Sequence, residues 1–110
     1  MREKLEKLLA QGRDSALLRF GLGDACLKDH DAEQAALHLA QATVQQPGYS
    51  AAWKLLGKAL HQLGRLDDAQ AAWTTGVTVA QQQGDLQAVK EMTVFLKRLQ
   101  KQQQAAGQNA

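Results

Sequence analysis

At 110 residues the chain is one domain long, and a chain of that size covers more than ~60% of the surface it exposes when unfolded, so a core needs no metal or disulfide staples. Hydrophobic residues reach 45%, but isoleucine is absent, valine is sparse and Pro47 is the one proline, which argues against strands and for an all-α fold. The net charge of +2 is too small to imply a polyanionic partner, and no apolar stretch approaches the ~20 residues that cross a bilayer.

The first element is a helix over residues 1–11, carrying Leu5, Leu8 and Leu9. Its opening run, Met1 to Lys7, alternates charge and lacks the apolar centre of a secretory signal. Asp14 or Ser15 can cap a second helix ending near Lys28. Asp31 starts the third, with Gln34 placed as in a capping box, and Pro47-Gly48 breaks the chain after it. Ser50 is expected to cap the fourth helix, which Gly64 closes, and Asp67 to start the fifth. Gly84-Asp85 then joins a C′ glycine to an N-cap, opening a last helix over 85–102. Residues 103–110 read as a disordered Gln/Ala-rich tail. About six helices result, joined by short turns.

Shifted by 34 residues, the chain matches itself: Leu22-Gly23 falls on Leu56-Gly57, Ala25 on Ala59, and Ala35 on Ala69. The apolar Cys26 and Leu39 fall on Leu60 and Trp73, and Ala42 on Gly76. Gly23 and Gly57 lie mid-helix, where glycine costs up to ~1 kcal/mol relative to alanine, so each marks a close approach of another helix. Ala35 and Ala69 are expected to face those glycines, with Leu39 and Trp73 filling the space between hairpins. A helix pair built this way cannot bury its apolar face alone, so neighbours must stack.

The stretch Trp53-Lys54-Leu55-Leu56-Gly57-Lys58-Ala59-Leu60, with Ala69 and Trp73 behind it, resembles the W-x2-L-G-x2-Y pattern of the tetratricopeptide repeat. The first copy keeps Leu22, Gly23, Ala35, Ala42 and Pro47, but has Arg19 for the tryptophan and Cys26 for the tyrosine; the second has Gln81 for the closing proline. The resemblance implies a right-handed superhelical stack of antiparallel helix pairs. It sets a single domain over 1–102, with repeats at 14–47 and 50–83, a leading helix at 1–11 and a capping helix at 85–102. In that last helix Lys90-Glu91 replaces Leu-Gly, which is tolerable where no second helix follows.

Sequence-based candidates for chemistry are few. Cys26 and His30 stand four apart, but occupy the core and turn places of Leu60 and Gly64, so they read as a buried thiol and a turn residue. No metal-binding, phosphate-cradling or nucleophilic motif is present, so no catalytic, cofactor or metal site is expected and the protein reads as a non-enzyme. One cysteine fits a reducing compartment, and a cytoplasmic location is the expectation.

In the family the first helix of each pair lines a concave groove for peptides. That carries over to Leu17, Phe20, Asp24 and Leu27, then Lys54, Lys58 and His61, then Ala88, Met92 and Phe95. Lys54, Lys58 and His61 also share a helix face by spacing alone. With Phe20, Met92 and Phe95 they would suit a protein or peptide partner bearing acidic and apolar groups, although Asp24 can instead pair with Lys54 or Lys58, and Phe20 can be core. The carboxylate clamp of chaperone-tail-binding members is missing, its places being held by Phe20, Asp24, Leu55, Asp85 and Val89. An alternative is a scaffold that self-associates, from monomer to weak homodimer, through Leu5, Leu9 or Phe95. RNA binding is disfavoured because base-stacking aromatics interleaved with basic residues are missing, and no nucleic acid or membrane partner is expected.

Overall fold

A computed structural model describes residues 1–108 as six helices with no strand among them. They are α1 (Arg2–Ala10), α2 (Ala16–Lys28), α3 (Ala32–Gln45), α4 (Ser50–Gln62), α5 (Leu66–Gln83) and α6 (Leu86–Gln108). Each helix packs on the next in the chain, and α4 additionally touches both α2 and α6. The backbones of α3 and α5, the second helix of each pair, stay apart, and a furrow lined by α3, α4 and α5 runs between them; the whole measures 50 × 31 × 18 Å.

Local chemistry sets most of the helix starts. The Ser15 hydroxyl accepts the Leu18 amide at 3.1 Å, which leaves the Asp14 carboxylate to take Arg19 at 2.8 Å and the Gln45 side chain at 3.0 Å. Asp31 accepts the Gln34 amide at 3.2 Å. Asp85 accepts the Ala88 amide at 3.1 Å, directly after Gly84 has turned the chain through a φ of 73°. Two expected starts move. Ser50 is the first helical residue of α4 rather than its cap, because its hydroxyl donates to Asp85 at 3.0 Å and ties the start of α4 to that of α6. α5 begins at Leu66, ahead of Asp67, and Asp67 and Asp68 lie in its first turn, where the helix dipole favours them.

The repeat glycines do what their cost implies, with a different partner. A β-carbon on Gly23 would collide with the Leu39 side chain, and one on Gly57 with the Trp73 indole, so the large residues press directly on the glycines. Ala35 and Ala69, a turn earlier on α3 and α5, are fully buried but are not the nearest neighbours there. The Trp73 indole N–H donates to the Lys54 carbonyl at 3.0 Å, which locks its ring across α4. Gly76 is pressed in the same way by Met92 of α6 and by Trp53.

The two ends differ from the middle. α1 has no buried residue and rests on α2, with Leu5 over Gly21. Arg2 pins it by reaching Glu6 at 3.4 Å, Asp29 at 3.5 Å and Asp31 at 2.9 Å. At the other end the expected tail from residue 103 is a correction: residues 103–108 continue α6 as helix, since Gln and Ala favour helix and the first glycine after Gly84 is Gly107. Asn109 and Ala110 lie outside the described residues.

Candidate functional site

α2, α4 and α6 lie side by side and carry the expected groove residues. In α2 the Phe20 ring stacks on Tyr49, centroids 5.0 Å apart, and so fills the seam with the start of α4. Asp24 pairs with Lys28 of its own helix at 2.9 Å, and with neither Lys54 nor Lys58. Leu27 packs on the core, whereas Leu17 is 72% exposed.

The cationic stripe of α4 is divided. Lys54 is not free: its ammonium binds the Glu91 carboxylate of α6 at 3.2 Å, with both side chains partly covered. Glu91, standing where the repeat has glycine, therefore reaches back across the seam instead of facing solvent. Lys58 lies over the Phe95 ring, 5.1 Å from its centroid, a cation–π arrangement. His61 donates from Nε2 to the Gln102 side chain at 2.9 Å, with its ring 6.0 Å from that of Trp73.

On α6, Met92 is a second correction. It is 0% exposed beneath Gly76, so it is core and offers no surface to a partner; Ala88 is buried as well. Phe95 remains partly exposed and leans on Trp73, centroids 5.2 Å apart.

Phe95 and Trp73, together with Leu99, form the apolar wall of a recess of about 230 Å³ between α4 and α6, and Lys58, His61 and Arg98 stand around it. None of the lining residues is acidic. The sequence reading missed Arg98, Trp73 and Leu99 as parts of a site. Arg98 was accessible to reasoning, since it follows Phe95 by three residues and so shares its helix face. Trp73 and Leu99 were not, because both sit at core positions of the repeat, and a core residue that also walls an opening looks the same in sequence as one that does not.

A second opening lies at the edge of the stack between α1 and α2, where Met1, Leu5 and Leu17 meet Asp24 and Lys28.

The titratable groups outside the recess have structural causes. Hydrogen bonds from Arg19 and then Gln45 hold the Asp14 carboxyl well below the usual carboxylate range. Burial, then the Arg19 guanidinium, push the His38 imidazole down, consistent with its Nδ1 accepting from Arg19 at 3.2 Å. Burial raises the Cys26 thiol, the opposite of what a nucleophile needs, and His30 is exposed in the turn after α2. Among the described residues no three His, Cys, Asp or Glu side chains converge to hold a metal ion, and no helix is long and apolar enough to cross a membrane.

Comparison with known proteins bears on this arrangement. A family model described as the tetratricopeptide repeat matches residues 27–92. The chain is 57% identical over 99 residues to a TPR repeat-containing protein of Pseudomonas aeruginosa, covering 90% of this chain and 94% of that protein. Among solved structures, a protein from Bordetella parapertussis superposes with a TM-score of 0.80 at 45% identity, over 93% of this chain and 89% of that one. A tetratricopeptide repeat domain protein from Salinibacter ruber gives 0.74 at 24% identity, over 79% and 97% of the two chains, a likeness of fold alone.

Proposed function

The chain belongs to the tetratricopeptide repeat family, and we propose that it is a protein-interaction module holding a peptide segment of its partner along α2, α4 and α6. The observation that carries this reading is the composition of the recess: an apolar wall with cations around it and no carboxylate among its lining residues. A partner that presents acidic and apolar groups together complements it. Within the groove Phe20 and Asp24 contribute shape and a local ion pair, while Lys54 and Glu91 fix α4 against α6. We read the module as a non-catalytic one; burial raises the Cys26 thiol, which disfavours the thiolate that a nucleophile needs. A reducing, cytoplasmic setting suits that lone thiol.

Site-specific photo-crosslinking tests the groove. A crosslinking amino acid at Asp24 is expected to capture a protein other than a second copy of this chain, judged by the mass of the crosslinked species, and the same group at Leu37, on the furrow side, is not. Capture from both positions, or from Leu37 alone, would count against the groove.

Self-association is a second reading, favoured by the α1–α2 edge, where Met1 is 89% and Leu17 72% exposed beside Leu5. Sedimentation over a range of concentrations separates the two. A monomer throughout eliminates the scaffold, and a dimer lost in Leu17→Glu supports it.

A further inference from the structure

We propose that the recess between α4 and α6 is an anchor site for an acidic peptide segment, taking one large apolar side chain against Trp73, Phe95 and Leu99 while flanking carboxylates pair with Lys58 and Arg98. This rests on the reading of the chain as a peptide-binding module and assigns the place and chemistry of its anchor.

Size comes first. At about 230 Å³ the opening is below the ~300–1,000 Å³ of pockets that enclose whole small molecules, and is suited to a single side chain entering from a bound segment.

Charge selects what accompanies that side chain. Lys58 and Arg98 have no carboxylate within ion-pair distance among the described residues, whereas the nearby Glu91 is held by Lys54. Arg98 enters the opening from α6 and Lys58 from α4, and no carboxylate lines it, so the charge at the opening itself is positive. The cation–π contact holds the Lys58 ammonium at Phe95, beside the opening, so less side-chain freedom is lost when an anion arrives.

The same geometry disfavours a nucleic acid. Base stacking needs an open aromatic face, whereas Lys58 lies over the Phe95 ring and Trp73 is only 4% exposed, with its indole N–H committed to the Lys54 carbonyl. What the recess offers is an edge and a wall, which suit an aliphatic or aromatic side chain inserted end-on.

The two tryptophans supply the measurement. Trp73 walls the recess and Trp53 lines the furrow on the other side, so their indole N–H signals in the ¹⁵N-labelled full chain report separately on the two faces. The probe is the capped peptide acetyl-Glu-Glu-Leu-Glu-Glu-amide, with one analogue carrying Gln for every Glu and another carrying Ala for Leu. The acidic leucine peptide is expected to move the Trp73 signal and leave that of Trp53 in place, and each analogue to bind about tenfold more weakly.

A Lys58→Gln/Arg98→Gln variant with unchanged helical circular dichroism should show the same tenfold loss, Lys58→Arg/Arg98→Lys should restore binding, and Lys101→Gln should bind as the parent does. Equal binding of the Gln analogue, undiminished binding by the double Gln variant, movement of Trp53 instead, or movement of neither indole would each overturn the assignment. If crosslinking from Asp24 still captures a partner in the double Gln variant, the groove reading survives and the anchor falls. If the peptide binds as described but Asp24 captures nothing, the anchor stands and the wider groove falls.

Discussion

His30 holds a φ of 60°, the left-handed conformation that Gly64 adopts at 75° one repeat later. An L side chain there costs ~1–2 kcal/mol, partly offset because glycine gives up more freedom on folding. His30→Gly is therefore expected to raise the unfolding free energy by up to ~1 kcal/mol, visible as a rise of a few degrees in Tm. A lower Tm would mean that the imidazole contributes more than its backbone strain costs. The two packing glycines make a graded pair. At Gly57 an added methyl meets an indole locked by its bond to the Lys54 carbonyl, whereas at Gly23 it meets the flexible isobutyl group of Leu39. Gly57→Ala should cost ~2–3 kcal/mol and Gly23→Ala clearly less, by denaturant titration, despite the helix propensity that both gain. Equal costs would show that the bond from Trp73 does not hold the ring in place.

Ionised groups join α1, α2 and α3, as Lys54 and Glu91 join α4 and α6, and the depressed carboxyls of the first junction set the response to acid. Arg19 and then Gln45 depress Asp14, and the Gln34 amide and then Arg2 depress Asp31. A carboxyl lowered in the folded state contributes stability that is fully present above its unfolded pKa of ~3.9 and lost as the pH falls through the folded value. His38, pushed down by burial, adds a loss that begins below ~6.5, because the unfolded state takes up its proton first. Stability should therefore decline gently below about pH 6.5 and steeply below about pH 4. Asp14→Asn should flatten the steep part, read from urea midpoints across that range; an unchanged slope would mean that Asp14 keeps its unfolded pKa.

These elements were legible in sequence to the extent that backbone chemistry decides them: Ser15, Asp31 and Gly84-Asp85 mark boundaries with groups whose partners lie three or four residues away. What joins elements across the stack was less legible. Helical spacing put Lys54 and Lys58 on one face, but which of them a carboxylate of α6 reaches depends on how the helices are staggered. Met92 was misplaced for a related reason: groove and core positions alternate along the helix, and Gly76 of α5 makes room for the sulfur to sink inward.

In a stacked array each unit touches only its neighbours, so what the last helix contributes is decided by what it covers on α5 and α4. α6 runs 23 residues against 13 for α4, and its coverage ends before its helix does. Leu99 is 2% exposed, and Gln102 is bonded to His61, whereas residues 104–107 are exposed on every side chain. Shortening the chain after Gln102 should change the unfolding free energy by no more than ~0.5 kcal/mol, as for surface changes generally. Shortening it after Lys97 removes Leu99 from the core and Arg98 from the recess, and should cost at least ~2 kcal/mol. Urea titration of both truncations against the full chain measures the difference directly. A loss on removing 103–110 as large as that on removing 98–110 would place the stabilising contact beyond Gln102. The expected result places it at Leu99, where the wall of the recess and the end of the core are the same side chain.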